Sequence, residues 1–177
     1  MLNIHQELIN RCREGDREAH YQLYKSYAKA MFNAAWRITG NTDDAEDVLQ
    51  EAFISAFRNL DAYRGDATFG SWLKRIVVNK AINAVKKKRT ELFPDDDHFD
   101  VAEPEEPEEY RSGLTVEKVR YAIESLPDGY RTVLSLYLLE GYDHQEIAEI
   151  MGITESTSKS QLNRAKKRLQ ERLTEKV

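Results

Sequence analysis

Apolar residues recur at helical spacing through the first half of the chain, and no strand alternation competes there. Leu8, Ile9 and Cys12 make a short stripe. Ala19, Leu23, Tyr24, Tyr27, Met31, Ala34, Ala35 and Ile38 then continue in helical steps until Gly40, a residue suited to ending a helix. Asp43 stands three before Glu46, a capping-box spacing, and Ala45, Val48, Leu49, Ala52, Phe53, Ala56 and Phe57 form the next stripe. The turn at 61–68, DAYRGDAT, leads into a fourth helix whose expected buried side is Phe69, Leu73, Ile76, Val77, Ala81 and Val85.

The pattern resumes at Thr115. Val116, Val119, Ala122, Ile123 and Leu126 share one helical side, Pro127 opens a further helix carrying Val133, Leu134, Tyr137 and Leu138, and Gly141 closes it. Asp143 and Glu146 repeat the capping-box spacing ahead of Ile147, Ala148, Ile150 and Met151. Gly152 then turns the chain, and Thr154 caps a last helix reaching about Leu173. A short helix, a glycine turn and a capped longer helix make a helix-turn-helix signature. The expected fold class is all-α, with two small helical domains at 1–90 and 114–177 joined by a linker at 91–113.

The linker comes from composition. Leu92 to Ser112 reads LFPDDDHFDVAEPEEPEEYRS and holds three of the four prolines without an apolar period. Such a stretch buries too little to offset its ordering entropy, so a flexible spacer is expected. A role for its acids in shielding a basic surface, or in holding the free chain off DNA, stays open beside that reading. Asp95, Asp96, Asp97 and His98 could be drawn as a metal site, but consecutive residues in an acidic run hold no fixed coordination geometry. No metal or cofactor is expected.

Charge counted by segment overturns the impression left by the net value of -5. Residues 1–90 carry 15 basic and 11 acidic side chains, residues 91–112 carry 1 and 10, and residues 113–177 carry 10 and 10. The acidity is therefore concentrated in the linker, and cationic surfaces remain on both sides of it. Cys12 is the only cysteine, so the chain forms no internal disulfide and suits a reducing compartment. With no long apolar run and no basic-then-apolar opening, a cytoplasmic protein without membrane insertion is expected.

Two helical faces carry candidate chemistry. Between Ser71 and Arg89 stand Lys74, Arg75, Lys80, Lys86, Lys87, Lys88 and Arg89 with no acid, and Trp72, Arg75, Asn79, Asn83 and Lys86 share one side. Cations meet phosphates, amides read base edges, and an aromatic stacks on unpaired bases. The bland alternative makes Trp72 a core residue and lets the lysines answer the negative helix end. On the last helix Leu162, Ala165, Leu169 and Leu173 mark the buried side. Ser156, Lys159, Ser160 and Asn163 face outward as candidate base readers, with Arg164, Lys166 and Lys167 for phosphates. A merely solvated basic face is less compatible with the EIAEIMGIT segment that precedes it.

In order and spacing, four segments resemble the extracytoplasmic-function (ECF) class of bacterial sigma factors, the promoter-recognition subunits of RNA polymerase. They are DDAEDVLQEAF at 43–53, YRGDATFGSWLKRIVVNKAIN at 63–83, LPDGYR at 126–131 and EIAEIMGITESTSKSQLNRAKKRL at 146–169. The resemblance covers nearly the whole chain and implies a sigma-two-type domain followed by a sigma-four-type helix-turn-helix domain. It further implies a chain that is monomeric when free, binds bacterial core RNA polymerase and promoter DNA, and is held by an anti-sigma factor, often at a membrane.

Carried over by position, the resemblance makes Asp44, Asp47, Gln50, Glu51 and Phe53 core-polymerase contacts. Tyr63, Arg64, Phe69, Trp72, Lys74, Arg75, Asn79, Lys80 and Asn83 take the minus-ten element, where the duplex opens and a base leaves the stack. Ser156, Thr157, Lys159, Ser160, Gln161, Asn163, Arg164 and Lys167 take the double-stranded minus-thirty-five element. Two positions depart from the family pattern. Ser158 stands on the buried seam where an apolar residue is usual, its hydroxyl expected to bond back to the Thr154 carbonyl. Gln161 replaces a frequent basic residue.

Two other function classes compete. A sigma-like decoy that binds a regulator without reading DNA predicts eroded base-reading strips, yet Trp72, Asn79, Asn83, Lys159 and Arg164 are all present. An enzyme is disfavoured because His5, His20, His98 and His144 are scattered, with no metal-ligand spacing, nucleophile motif or glycine-rich phosphate loop.

Overall fold

The structure, a computed structural model, describes residues 5–88 and 113–174. The acidic segment with Asp95–His98 lies outside the described residues, as does Arg89. Among the described residues the chain forms eight α-helices, one 3-10 turn and no strand. It divides into two compact units, residues 1–84 and 85–177, a boundary slightly ahead of the expected one and inside the fourth helix.

The first unit contains α1 (Gln6–Arg13), α2 (Arg17–Thr39), α3 (Thr42–Arg58) and most of α4 (Phe69–Lys88), with a 3-10 turn at Leu60–Ala62. Local chemistry sets the breaks. Asp16 caps α2 by accepting from the Glu18 and Ala19 amides at 2.9 and 3.3 Å. Gly40 ends α2 in the left-handed region at φ 74°, which an L side chain disfavours, and Asn41 caps α3 by accepting from the Asp44 amide at 2.8 Å. Helices α1 and α3 pack on α2. The alanines Ala34, Ala35, Ala45, Ala52 and Ala56 are buried among Leu23, Ile38, Val48, Leu49 and Phe53, small residues that let helices approach closely.

The covered side of α4 is wider than the stripe in the sequence suggests. Val78 and Ile82 are buried beside Phe69, Leu73, Val77, Ala81 and Val85, whereas Ile76 is only part-covered. A single-stripe reading assumes one narrow contact face, and α4 is enclosed over more of its circumference.

The second unit is built from α5 (Val116–Glu124), α6 (Asp128–Leu138), α7 (His144–Met151) and α8 (Glu155–Thr174). Every residue from Gly129 to Leu136 is buried, so α6 is the central helix, packed by α7 and α8. Tyr137 and Leu138, expected on its apolar side, are exposed at its C-terminal end. Arg131 closes the α5–α6 turn: its guanidinium donates to the Leu126 carbonyl at 3.1 Å and pairs with Asp128. Both halves of the Asp143–Glu146 capping box are formed. Gly152 takes the left-handed turn at φ 69°, and the Thr154 hydroxyl caps α8 by accepting from the Thr157 amide at 3.0 Å.

Candidate nucleic-acid interface

Helix α4 presents the strip its sequence implies. Thr68 caps it, its hydroxyl oxygen accepting from the Ser71 amide at 3.2 Å. From that start, Trp72 and Arg75 are part-exposed and Asn79, Asn83 and Lys86 are exposed along one side. Lys74 and Lys80 flank the strip, part-exposed. Its first turn begins with an aromatic cluster: Tyr63 lies 5.5 Å from both Phe69 and Trp72, and Phe69 lies 5.3 Å from Tyr27.

That cluster encloses two of the expected contacts. Tyr63 and Phe69 are buried, at 4% and 0% exposure, because the Tyr27 ring from α2 and the Trp72 ring close over them. They support the strip from behind, while Arg64 in the same loop and Trp72 keep surface to offer.

On α3, Asp47, Gln50 and Glu51 are exposed on one face. Asp44 is part-covered and serves the helix start, its carboxylate accepting from the Asn41 side-chain amide. Phe53 lies in the core at 3% exposure, with Tyr24 edge-on at 4.8 Å and Phe57 beside it, and has no surface to offer a partner. Ile54 was missed: one turn beyond Gln50 and Glu51, it is half exposed in the middle of this polar face. Its signal is an isoleucine lying off the helix's own buried stripe.

Helix α8 separates its two sides. Leu162, Ala165 and Ser158 are buried, and Ser156, Lys159 and Lys167 are exposed. Asn163 and Arg164 are part-exposed. Lys159 pairs with Glu155 at 2.9 Å, an exposed ion pair within one helical turn. Thr157 joins the cap through Thr154, and Ser160, part-covered, donates to the Thr157 carbonyl at 3.0 Å. Gln161 is 8% exposed, so it stands on the inner edge of the helix and not on the outward face expected for a reader.

The seam residue Ser158 is fully buried, as its spacing implies, but its hydroxyl does not turn back to Thr154. It lies 2.9 Å from His144 Nδ1, at the first residue of α7. The His144 ring stacks on Tyr137 of α6 at 4.6 Å and 20°. Burial, and then the neighbouring Lys159, push the imidazole below its ordinary pKa. One side chain of α7 thus touches both α6 and α8.

Among the described residues no group of three or more His, Cys, Asp or Glu side chains is arranged to hold a metal, and no helix is long and apolar enough to cross a membrane.

Residues 23–91 match the family model of Sigma-70 region 2, and residues 117–169 match that of Sigma-70 region 4. The chain is 30% identical over 176 residues to the ECF RNA polymerase sigma factor SigW of Bacillus subtilis, covering 93% of this chain and 94% of that protein. It is 34% identical over 172 residues to the ECF RNA polymerase sigma-E factor of Escherichia coli, covering 91% and 90%. Among solved structures, the sigma factor RpoE of Bartonella quintana, crystallised with the anti-sigma factor NepR, matches with a TM-score of 0.59 and 25% identity over 89% of this chain and 98% of that one. With both region models matched in order and relatives 30% and 34% identical over nine-tenths or more of their length, the chain belongs to the ECF RNA polymerase sigma factors.

Proposed function

We propose that this sigma factor docks on bacterial core RNA polymerase through the exposed face of α3 and directs initiation by reading two promoter elements with chemically different surfaces. The observation that carries the reading is the part-exposed Trp72 in line with exposed Asn79, Asn83 and Lys86 on α4, in contrast to an outward face on α8 that carries no aromatic residue. An aromatic face beside amides and cations suits an unpaired strand, whose bases are free to stack. Hydroxyl, amide and cationic groups on a capped second helix suit the edges and phosphates of a closed major groove. Trp72, Arg75, Asn79 and Asn83, with Arg64 in the preceding loop, therefore take the opened minus-ten element. Ser156, Lys159 and Asn163 take the minus-thirty-five bases, and Arg164 and Lys167 the phosphates.

The chain performs no bond chemistry in this scheme. Melting is driven by differential binding: the α4 strip gains stacking and amide contacts only when the bases are unpaired. Linking two readers in one chain makes the second contact intramolecular and raises its effective concentration. An anti-sigma factor in the cytoplasm or at the membrane is the expected regulator, supported by the Bartonella relative crystallised with one. The decoy reading loses ground because the reading strips are retained and exposed.

Reconstituted transcription tests the proposal. Core polymerase with and without this chain transcribes a fragmented genomic template, and the 5′ ends of the products are mapped. New starts that share two spaced upstream motifs are the expected result. Polymerase binding without new starts on any template refutes the promoter assignment, and no binding refutes the docking face.

A further inference from the structure

The loop between α3 and α4 is tied at both ends by side chains outside its tip. At the front, Arg13, the last residue of α1, donates from Nη2 to the Tyr63 carbonyl at 2.8 Å and to the Leu60 carbonyl at 3.4 Å. Its Nη1 donates to Asn10 at 3.3 Å, which fixes the guanidinium to its own helix, and Nε lies 3.8 Å from the exposed Asp61 carboxylate. At the back, the Tyr63 hydroxyl donates to the Ala67 carbonyl at 2.8 Å, and Thr68 caps α4. Between these ties stand Arg64, Gly65 and Asp66, all exposed, with Gly65 at φ 83° turning the chain. The Tyr63 ring, meanwhile, backs Trp72 at 5.5 Å.

We propose that Arg13 and Tyr63 are positioning residues for minus-ten recognition, holding the 64–66 tip and the Trp72 face in one fixed frame to receive an unpaired base. The inference rests on the assignment of α4 and its loop to the opened strand. A single strand is already costly to order, so a loop that ordered only on binding would add its own entropy to the cost. Arg13 and Tyr63 remove that cost in the free protein: one clamps the entry to the loop, the other staples its exit and supports the stacking surface. Both act through residues that face the DNA, since Tyr63 is itself buried. Arg13 lies ahead of the 23–91 segment matched by the region 2 model, so its role comes from this chain's own contacts.

The test uses the full chain in holoenzyme with bacterial core polymerase. The probe is a fluorescein-labelled single-stranded DNA enriched from a randomised pool by the wild-type holoenzyme. Tyr63→Phe keeps the ring and removes the hydroxyl that donates to the Ala67 carbonyl. Arg13→Gln removes the bifurcated clamp, and Arg13→Lys restores one donor. The expected result is probe binding weakened about three- to tenfold in Tyr63→Phe and Arg13→Gln, the size of one or two lost hydrogen bonds, with partial rescue by Arg13→Lys and unchanged assembly with polymerase. Loss of polymerase assembly in parallel with probe binding overturns the proposal, because it marks a role in folding alone. Wild-type probe affinity in these variants, with binding lost in Arg64→Ala and Trp72→Ala, overturns the positioning role and leaves the strand assignment standing. Wild-type affinity in all of them overturns that assignment and the inference with it.

Discussion

Replacing Ser158 by alanine isolates the contact that ties α8 to the first residue of α7. Its hydroxyl is fully buried and meets His144 Nδ1 at 2.9 Å across fourteen residues of chain, so the substitution deletes one hydrogen bond and leaves a part-buried imidazole nitrogen unpaired. A neutral bond plus the desolvation of its abandoned partner comes to about 1–2 kcal/mol, close to a tenfold rise in opening of the α7–α8 pair. His144→Leu leaves the Ser158 hydroxyl as the orphan and removes the ring stacked on Tyr137 at 4.6 Å, adding about 0.5–1.5 kcal/mol. The double variant has no orphan, so it is expected to cost about 1 kcal/mol less than the sum of the singles. Both tryptophans, Trp36 and Trp72, lie in the first unit, so tryptophan fluorescence is not a direct probe of this contact. Native-state hydrogen exchange of the full chain, followed on amides of α7 and α8, reads it directly. Unchanged exchange in Ser158→Ala, or strict additivity in the double variant, refutes the account.

Other outcomes follow from single features. His144 is held below its ordinary pKa by burial and by Lys159 and Lys166, against the opposing pull of Glu155 and Asp143. Its folded state therefore favours the neutral ring: the stability it contributes is present above the unfolded pKa of about 6.5 and is lost as pH falls through the lower folded value. A pH series of α8 amide exchange is expected to show that loss in the wild type and a flatter profile in His144→Gln. Asp143→Ala breaks a complete capping box and is expected to destabilise the second unit by about 1 kcal/mol, measured by the same exchange. On α3, Ile54→Ala is expected to weaken polymerase binding severalfold with little change in thermal stability, since the side chain is half exposed. Lys167→Ala is expected to weaken binding to all duplexes alike and to lower the salt slope by about one.

What the sequence made legible is mostly local. The capping box at Asp143, the stops at Gly40 and Gly152 and the Thr154 cap are each decided within about one helical turn, where the chemistry of a few neighbouring residues prevails. The α4 strip was equally accessible, because helical spacing alone places Asn79 and Asn83 in line with Trp72. Orientation against distant elements was not. Tyr63 and Phe69 carry the aromatic chemistry a DNA contact needs, yet both are buried, and the Tyr27 ring that packs on Phe69 comes from α2, beyond the reach of a spacing rule. Phe53 belongs both to the proposed docking segment and to a buried stripe, and it lies in the core. Arg13 and Tyr63 meet across fifty residues, and no spacing rule spans that distance. Ser158 was recognised as misplaced on an apolar seam, yet its partner could not be chosen without the geometry that brings His144 over it.

These long-range ties share a physical logic. Both proposed readers present exposed groups: Ser156 and Lys167 on α8, Arg64 to Asp66 in the loop ahead of α4. Each is backed by a part-buried polar contact that reaches in from another element, Ser158 to His144 in one unit and Arg13 to the Tyr63 carbonyl in the other. An apolar residue at either place could supply packing energy, but packing is tolerant of small rotations, whereas a hydrogen bond is lost over a few tenths of an ångström and some tens of degrees. Reading bases demands that tolerance be small, because a reader that rocks pays on each binding event to stop rocking. Burying a serine hydroxyl and clamping a loop with an arginine give up packing energy that apolar side chains would have supplied, in return for a fixed orientation at the two surfaces proposed to meet DNA.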